Sequence, residues 1–248
     1  MLFQVEPVIR TAPVPTRAIV NAGLWLDDPD VDAITRLCND IVATECDALA
    51  LPLFYILHLF ARLVLTVRLR YTRDSSYVMA NGTWCPFNSQ NTALHRDLIP
   101  AYVLSPLIGR MDDIWARCNS RIFFQFFHTL LLTWCSYVAL RIMDHLGHGC
   151  VFGHPLVTQD RNPHNYFVDH EKERIGLEVG GILCKMLRSI ALVNRTYFSC
   201  AVELIDKLEA AVAVSEELKP NAGAVKWVND MISTYRAWFA TMRRLGAQ

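Results

Sequence analysis

Gly109-Arg-Met-Asp-Asp-Ile-Trp-Ala116 places two adjacent carboxylates, Asp112 and Asp113, after a glycine turn and at the opening of a helix, with Trp115 beside them. Such a pair can hold a divalent cation, or let one member act as a general base. An indole next to it can line a sugar or a base. Adjacent aspartates also serve as plain helix caps, and the local pattern alone favours that simpler role. Gln159-Asp-Arg-Asn-Pro-His-Asn-Tyr166 gathers Arg161, His164 and Asn165 in a loop just before a helix. A cation, amides and an imidazole so placed suit a diphosphate or sugar hydroxyls; a loop whose Asn and Asp side chains satisfy their own turns has the same composition. Asn81-Gly-Thr-Trp-Cys-Pro-Phe-Asn-Ser-Gln-Asn-Thr92, which includes Asn88, is amide-rich and flanked by aromatics. Asp28-Pro-Asp-Val-Asp32 alternates carboxylates around Asp30 as a metal-binding D-x-D does, a spacing that ordinary capped turns share.

Histidines 145, 148, 154, 164 and 170 lie near Cys150, but their spacing matches none of the usual structural zinc frameworks. The chain has no Walker loop, G-x-G-x-x-G, G-x-S-x-G or H-E-x-x-H, so NTPase, dinucleotide and common hydrolase chemistry is unsupported. The eight cysteines contain no C-x-x-C pair and read as buried, reduced thiols.

These clusters need a scaffold. Residues 1–17 are punctuated by Pro7, Pro13 and Pro15 and read as an extended lead-in. Arg17 to Leu26 is apolar with branched residues and predicts a buried strand. Asp27 to Asp30 then caps a short helix spaced by Val31, Ile34 and Leu37, while residues 79–90 predict loop and short strand. From Phe167 to Arg244 the pattern is helical, interrupted near Asn194 and at Pro220. Its last segment carries a stripe of Trp227, Val228, Met231, Ile232, Tyr235, Trp238 and Phe239, and the segment before it a stripe of Phe198, Val202, Ile205, Leu208 and Val212. The expected organisation is an α/β region over 1–166 followed by a helical region over 167–248.

The 248 residues balance 24 basic against 24 acidic side chains, which gives no electrostatic reason for a nucleic-acid partner. The composition, 52% hydrophobic and 19% charged, excludes disordered and collagen-like classes. Mean hydropathy is +0.21, and two runs account for the excess. Residues 48–67 contain one Arg, one His and one Pro, and residues 122–140 carry no formal charge. Both are long enough to span a bilayer, which takes about 20 apolar residues. The first residues lack the features of a signal peptide, and the sequons at Asn81 and Asn194 carry little weight without one.

Taken in order, A-G-L-W-L-D-D-P-D-V-D-A-I-T-R-L, N-G-T-W-C-P-F-N-S-Q-N-T, G-R-M-D-D-I-W-A and Q-D-R-N-P-H-N-Y-F-V-D-H-E-K-E resemble the STELLO-type glycosyltransferase family. More distantly they resemble the reversibly glycosylated polypeptides, the UDP-arabinopyranose mutases. The resemblance covers roughly residues 18–40 and 76–218 apart from one interruption. It implies a partial GT-A-like nucleotide-sugar fold with a helical C-terminal tail, a nucleotide-diphosphate sugar donor, a glycan or protein acceptor, and Mn2+ or Mg2+ in the full-length relative. On that likeness Asp112 and Asp113 fall in the acidic acceptor-side motif, where a carboxylate deprotonates an acceptor hydroxyl or positions the metal. Arg161, His164 and Asn165 fall in a second polar motif suited to diphosphate or sugar. Trp25 and Asp30 fall at the end of the strand lining the cleft, while Asn88 and Trp115 belong to the remaining motifs. The donor-binding half of a GT-A enzyme is expected to be missing, leaving a chain that is incomplete or inactive by itself. Both apolar runs interrupt the motif order, as insertions near 48–73 and 117–135, and read either as translated introns or as membrane helices. STELLO-like relatives imply a Golgi membrane setting. The function classes are thus sugar transfer, sugar-nucleotide mutation, and a non-catalytic membrane-associated or scaffold role.

Overall fold

The computed structural model describes residues 16–27, 40–46, 66–72, 76–87, 89–107, 134–159 and 165–247. In chain order these form β1 (Ala18–Asp27), β2 (Asp40–Cys46), β3 (Thr66–Thr72), β4 (Tyr77–Val78), β5 (Thr92–Leu94), a 3-10 turn (Arg96–Ala101), α1 (Trp134–Leu146), β6 (Gly149–Gln159), α2 (Tyr166–Ser189), α3 (Tyr197–Val214) and α4 (Ala222–Arg244). The fold is α/β. The sheet runs β3-β2-β1-β6-β4, with β5 pairing β1 off that path.

The branched run in β1 buries Ile19, Val20, Ala22 and Leu24 and leaves Asn21 exposed. β1 is parallel to β6, from Ala18 against Gly149 to Asp27 against Gln159. It is antiparallel to β5 over Val20–Ala22, and it meets β2 at Asp27 against Ala43. The β1–β6 ladder shifts register where Gly23 faces Gly153 and Trp25 faces Val157. The longer stretch on β6 contains Pro155, which lacks an amide hydrogen and is tolerated in strands at such irregularities.

The three long helices follow the predicted periodicity, and each starts at a side-chain cap. Asn165, Thr196 and Asn221 accept the backbone amides of Val168, Ser199 and Ala224. Pro220 precedes the last cap. The predicted stripes are the buried faces, with Phe198, Ile205, Leu208, Trp227, Val228, Met231, Tyr235 and Phe239 all in the core. That core also holds Ile19 and Leu24 of β1 and most of α1, so sheet and helices share one apolar interior.

The apolar run at 122–140 ends in α1, where Cys135, Val138, Ala139 and Ile142 are fully buried. Residues 135–140 of α1 are all buried and uncharged, so the composition of this stretch matches that of a membrane segment. Thr66 and Val67, the end of the other run, belong to strand β3. Among the described residues no helix is long and apolar enough to cross a membrane. The remainder of both runs, and the short helix expected after Asp30, lie outside the described residues.

Candidate functional site

In α/β sheets, ligands bind beyond the carboxyl ends of parallel strands, where loops and helix N-termini converge. The parallel pair β1–β6 offers one such edge. Trp25 lies opposite Val157, Leu26 opposite Thr158 and Asp27 opposite Gln159. Trp25 is half-buried, so its indole has a solvent-facing part. Asp27 ends β1 at φ 64°, a left-handed conformation that non-glycine residues rarely adopt. Such backbone strain collects where ligands or catalytic groups must be held.

β6 hands the chain to the N-terminus of α2 within a few residues. Asn165 caps this helix, its side chain accepting the Val168 N–H at 3.3 Å. The helix dipole favours an anion at that end. Tyr166 is half-buried and Phe167 is 74% exposed, giving apolar surface beside the polar cap. Behind them the buried face of α2 changes character. Leu187, Leu183, Gly180, Val179 and Gly176 are succeeded toward the N-terminus by Glu173, 1% exposed, and Asp169, 6% exposed. Two carboxylates one turn apart in an otherwise apolar stripe are costly unless hydrogen-bonded or paired.

Of the predicted site residues, Trp25 and Asn165 are described: Trp25 lies near the end of β1 opposite Val157, and Asn165 caps α2. Asp30, Asn88, Asp112, Asp113, Trp115, Arg161 and His164 lie outside the described residues. Asp27, Asp169 and Glu173 are candidates that pattern reading missed. For the last two a signal existed, because Asp169 and Glu173 continue the spacing of Gly176, Val179 and Leu183. Aspartate adopts the left-handed conformation more readily than most residues, but a single Asp at the end of a strand does not announce it.

The aromatic part of the 81–92 stretch has a bracing role. Trp84, Cys85 and Phe87 are buried. The Trp84 indole N–H donates to the Asp144 carboxylate, which also accepts the Gly82 N–H at 2.9 Å. The Arg188 guanidinium lies 4.5 Å over the Trp84 ring. Nearby, burial raises the Tyr137 hydroxyl well above its ordinary range, with Cys184 and Cys85 adding to the effect. Burial likewise pushes the Cys184 thiol up to about 12, so it stays protonated and unreactive at neutral pH. His145 and His148 have separate partners: His145 Nε2 lies 2.8 Å from the Asn194 carbonyl, and His148 Nδ1 lies 2.7 Å from the Tyr197 hydroxyl. Among the described residues no three His, Cys, Asp or Glu side chains converge to hold a metal ion.

No protein-family profile matches the sequence. The chain is similar to UDP-arabinopyranose mutase 3 of Arabidopsis thaliana, 26% identical over 226 residues that cover 88% of this chain and 49% of that protein. UDP-arabinopyranose mutase 1 of the same plant is 28% identical over 230 residues, covering 88% and 50%. A probable UDP-arabinopyranose mutase 1 of Solanum tuberosum is 30% identical over 164 residues, covering 64% and 33%. The chain thus spans a third to a half of the length of these relatives. The likeness is to nucleotide-sugar mutases, the more distant of the two resemblances read from the motifs.

Proposed function

We propose that this chain forms part of a nucleotide-sugar enzyme whose reaction is a sugar-nucleotide mutation, the interconversion of ring forms of a sugar carried on a nucleotide diphosphate. The observation that carries the reading is the mutase likeness over most of the chain, joined to an α/β sheet whose parallel β1–β6 pair ends beside Trp25 and Asp27. At that edge the Trp25 indole offers a stacking face to the base or sugar ring. The α2 N-terminus capped by Asn165 receives negative charge from the diphosphate, with Arg161 and His164 supplying cationic and hydrogen-bonding groups. Asp112 and Asp113 are the proposed catalytic carboxylates. They would hold the Mn2+ or Mg2+ that neutralises a leaving diphosphate, or take a proton from a sugar hydroxyl. Residues 1–166 are the proposed ligand-binding region and 167–248 the helical region that backs it.

The test supplies the chain together with the donor-binding half of a UDP-arabinopyranose mutase, incubates them with UDP-arabinopyranose and Mn2+, follows binding by calorimetry against that half alone, and resolves pyranose from furanose products by chromatography. Binding with ring interconversion, lost in Asp113→Asn and on chelation by EDTA and restored by Mn2+, is the expected result. Absence of UDP-sugar binding overturns the reading. Binding followed by sugar transfer to a glycan or protein acceptor, without ring interconversion, replaces mutation by glycosyl transfer of the STELLO type.

A further inference from the structure

The ladder that holds β1 is interrupted on both sides just before the proposed ligand edge. On one side β5 pairs with Val20, Asn21 and Ala22 and then ends. On the other, β6 shifts register between its pairings with Gly23 and Trp25. The next strand contact on the β5 side is Asp27 against Ala43 of β2. Asn91, the residue before β5, spans this gap. Its carbonyl accepts the Gly23 N–H at 2.7 Å, and its carboxamide Nδ2 donates to the Leu24 carbonyl at 3.1 Å. One side chain and one carbonyl therefore replace the missing strand at two consecutive residues of β1.

Both partners are suited to this contact. Asn91 adopts φ 48°, a region that asparagine tolerates better than most residues. Gly23 leaves the space the carboxamide occupies, since a Cβ there would lie 2.4 Å from Asn91 Nδ2 and 2.6 Å from its Cγ. The amide-rich stretch around residues 81–92 thus reaches the ligand edge through Asn91.

We infer that Asn91 is a positioning residue, clipping Gly23 and Leu24 so that Trp25 and Asp27 stand correctly at the ligand edge. The inference deepens the proposed function and rests on that edge being the binding site. Its mechanism is local: with the clip absent, Gly23 and Leu24 lose their hydrogen bonds on the β5 side and the Trp25 indole changes its setting.

The experiment incorporates 5-fluorotryptophan and follows the 19F resonance of Trp25, assigned by Trp25→Phe, in Asn91→Asp, Asn91→Gly, Gly23→Ala and the double variant. Asn91→Asp keeps size and backbone preference but sets an acceptor against the Leu24 carbonyl. Its mild character keeps the test open if another variant fails to fold. The Trp25 resonance is expected to move in each single variant while those of Trp84 and Trp227 stay in place. UDP-sugar affinity falls by about tenfold or more, as small misplacements at a site do. Because Gly23→Ala acts by pushing Asn91 away, its effect shrinks when Asn91 is already glycine. A Trp25 resonance unmoved in folded Asn91→Asp, or strictly additive effects in the double variant, overturns the inference. A resonance that moves in a protein that binds no UDP-sugar upholds the clip and overturns the ligand reading instead.

Discussion

The Glu203 side chain is 9% exposed and remains ionised because donors surround it. The Val193 and Asn194 backbone amides approach at 3.1 Å, the Asn194 carboxamide at 2.9 Å and Lys207 Nζ at 2.7 Å. Burial alone would raise this carboxyl; Lys207 and the Asn194 and Val193 amides outweigh it and bring it down to about 2 from 4.5. A depressed carboxyl contributes stability that is complete above its unfolded value and is lost as pH falls through its folded one. Urea midpoints should therefore decline between about pH 4.5 and 2, and Glu203→Gln should remove that component and cost about 2 kcal/mol at neutral pH. His148 shows the opposite charge type. Burial, then Arg17, lowers it below 6.5, with Asp97 opposing and His95 reinforcing the shift. The folded state then binds fewer protons than the unfolded one, so stability drops as pH falls below 6.5 and is flat above it; His148→Asn should flatten that slope in the same titration.

Among the elements, the helices were legible in the sequence and much of the sheet was not. α2, α3 and α4 announce themselves by side chains recurring at helical spacing and by Asn165, Thr196 and Asn221 at their starts. β6 carries no strand signal of its own, because Gly149, Gly153 and Pro155 break its branched pattern; its strand character comes from pairing with β1, which no local signal encodes. The latter part of the second apolar run was open to a membrane reading because the burial of residues 135–140 depends on their neighbours. Of the candidate site, Trp25 and Asn165 are proposed from their motifs, whereas Asp27 and the clip at Asn91 depend on backbone conformation. Asn165→Ala should remove the α2 cap and cost about 1 kcal/mol, read by thermal melting, with weaker UDP-sugar binding in addition. Asp144→Ala should cost about 2 kcal/mol by leaving the Trp84 indole and Gly82 amide without their acceptor, and should shift the near-ultraviolet circular dichroism of Trp84.

For the molecule as a whole, the continuity of the core decides how it responds to stress. Phe198, Leu204 and Phe239 of the helical region belong to the same apolar cluster as Ile19, Leu98 and Val138. Arg141 of α1 adds a polar tie, donating to the Leu187 and Ile190 carbonyls at the end of α2. Heating should therefore melt helix and aromatic signals in one coincident transition; an earlier loss of helix would show the region after residue 166 to be separable. The parallel pairing of β1 with β6 also bears on how the molecule is made. During synthesis β1 leaves the ribosome long before β6, its longest partner, is translated, and through that interval Ile19, Val20 and Leu24 lack much of their final cover. A nascent chain stalled ahead of Gly149 would thus be a client for chaperones, and release past Gln159 would be the point at which it could close on itself.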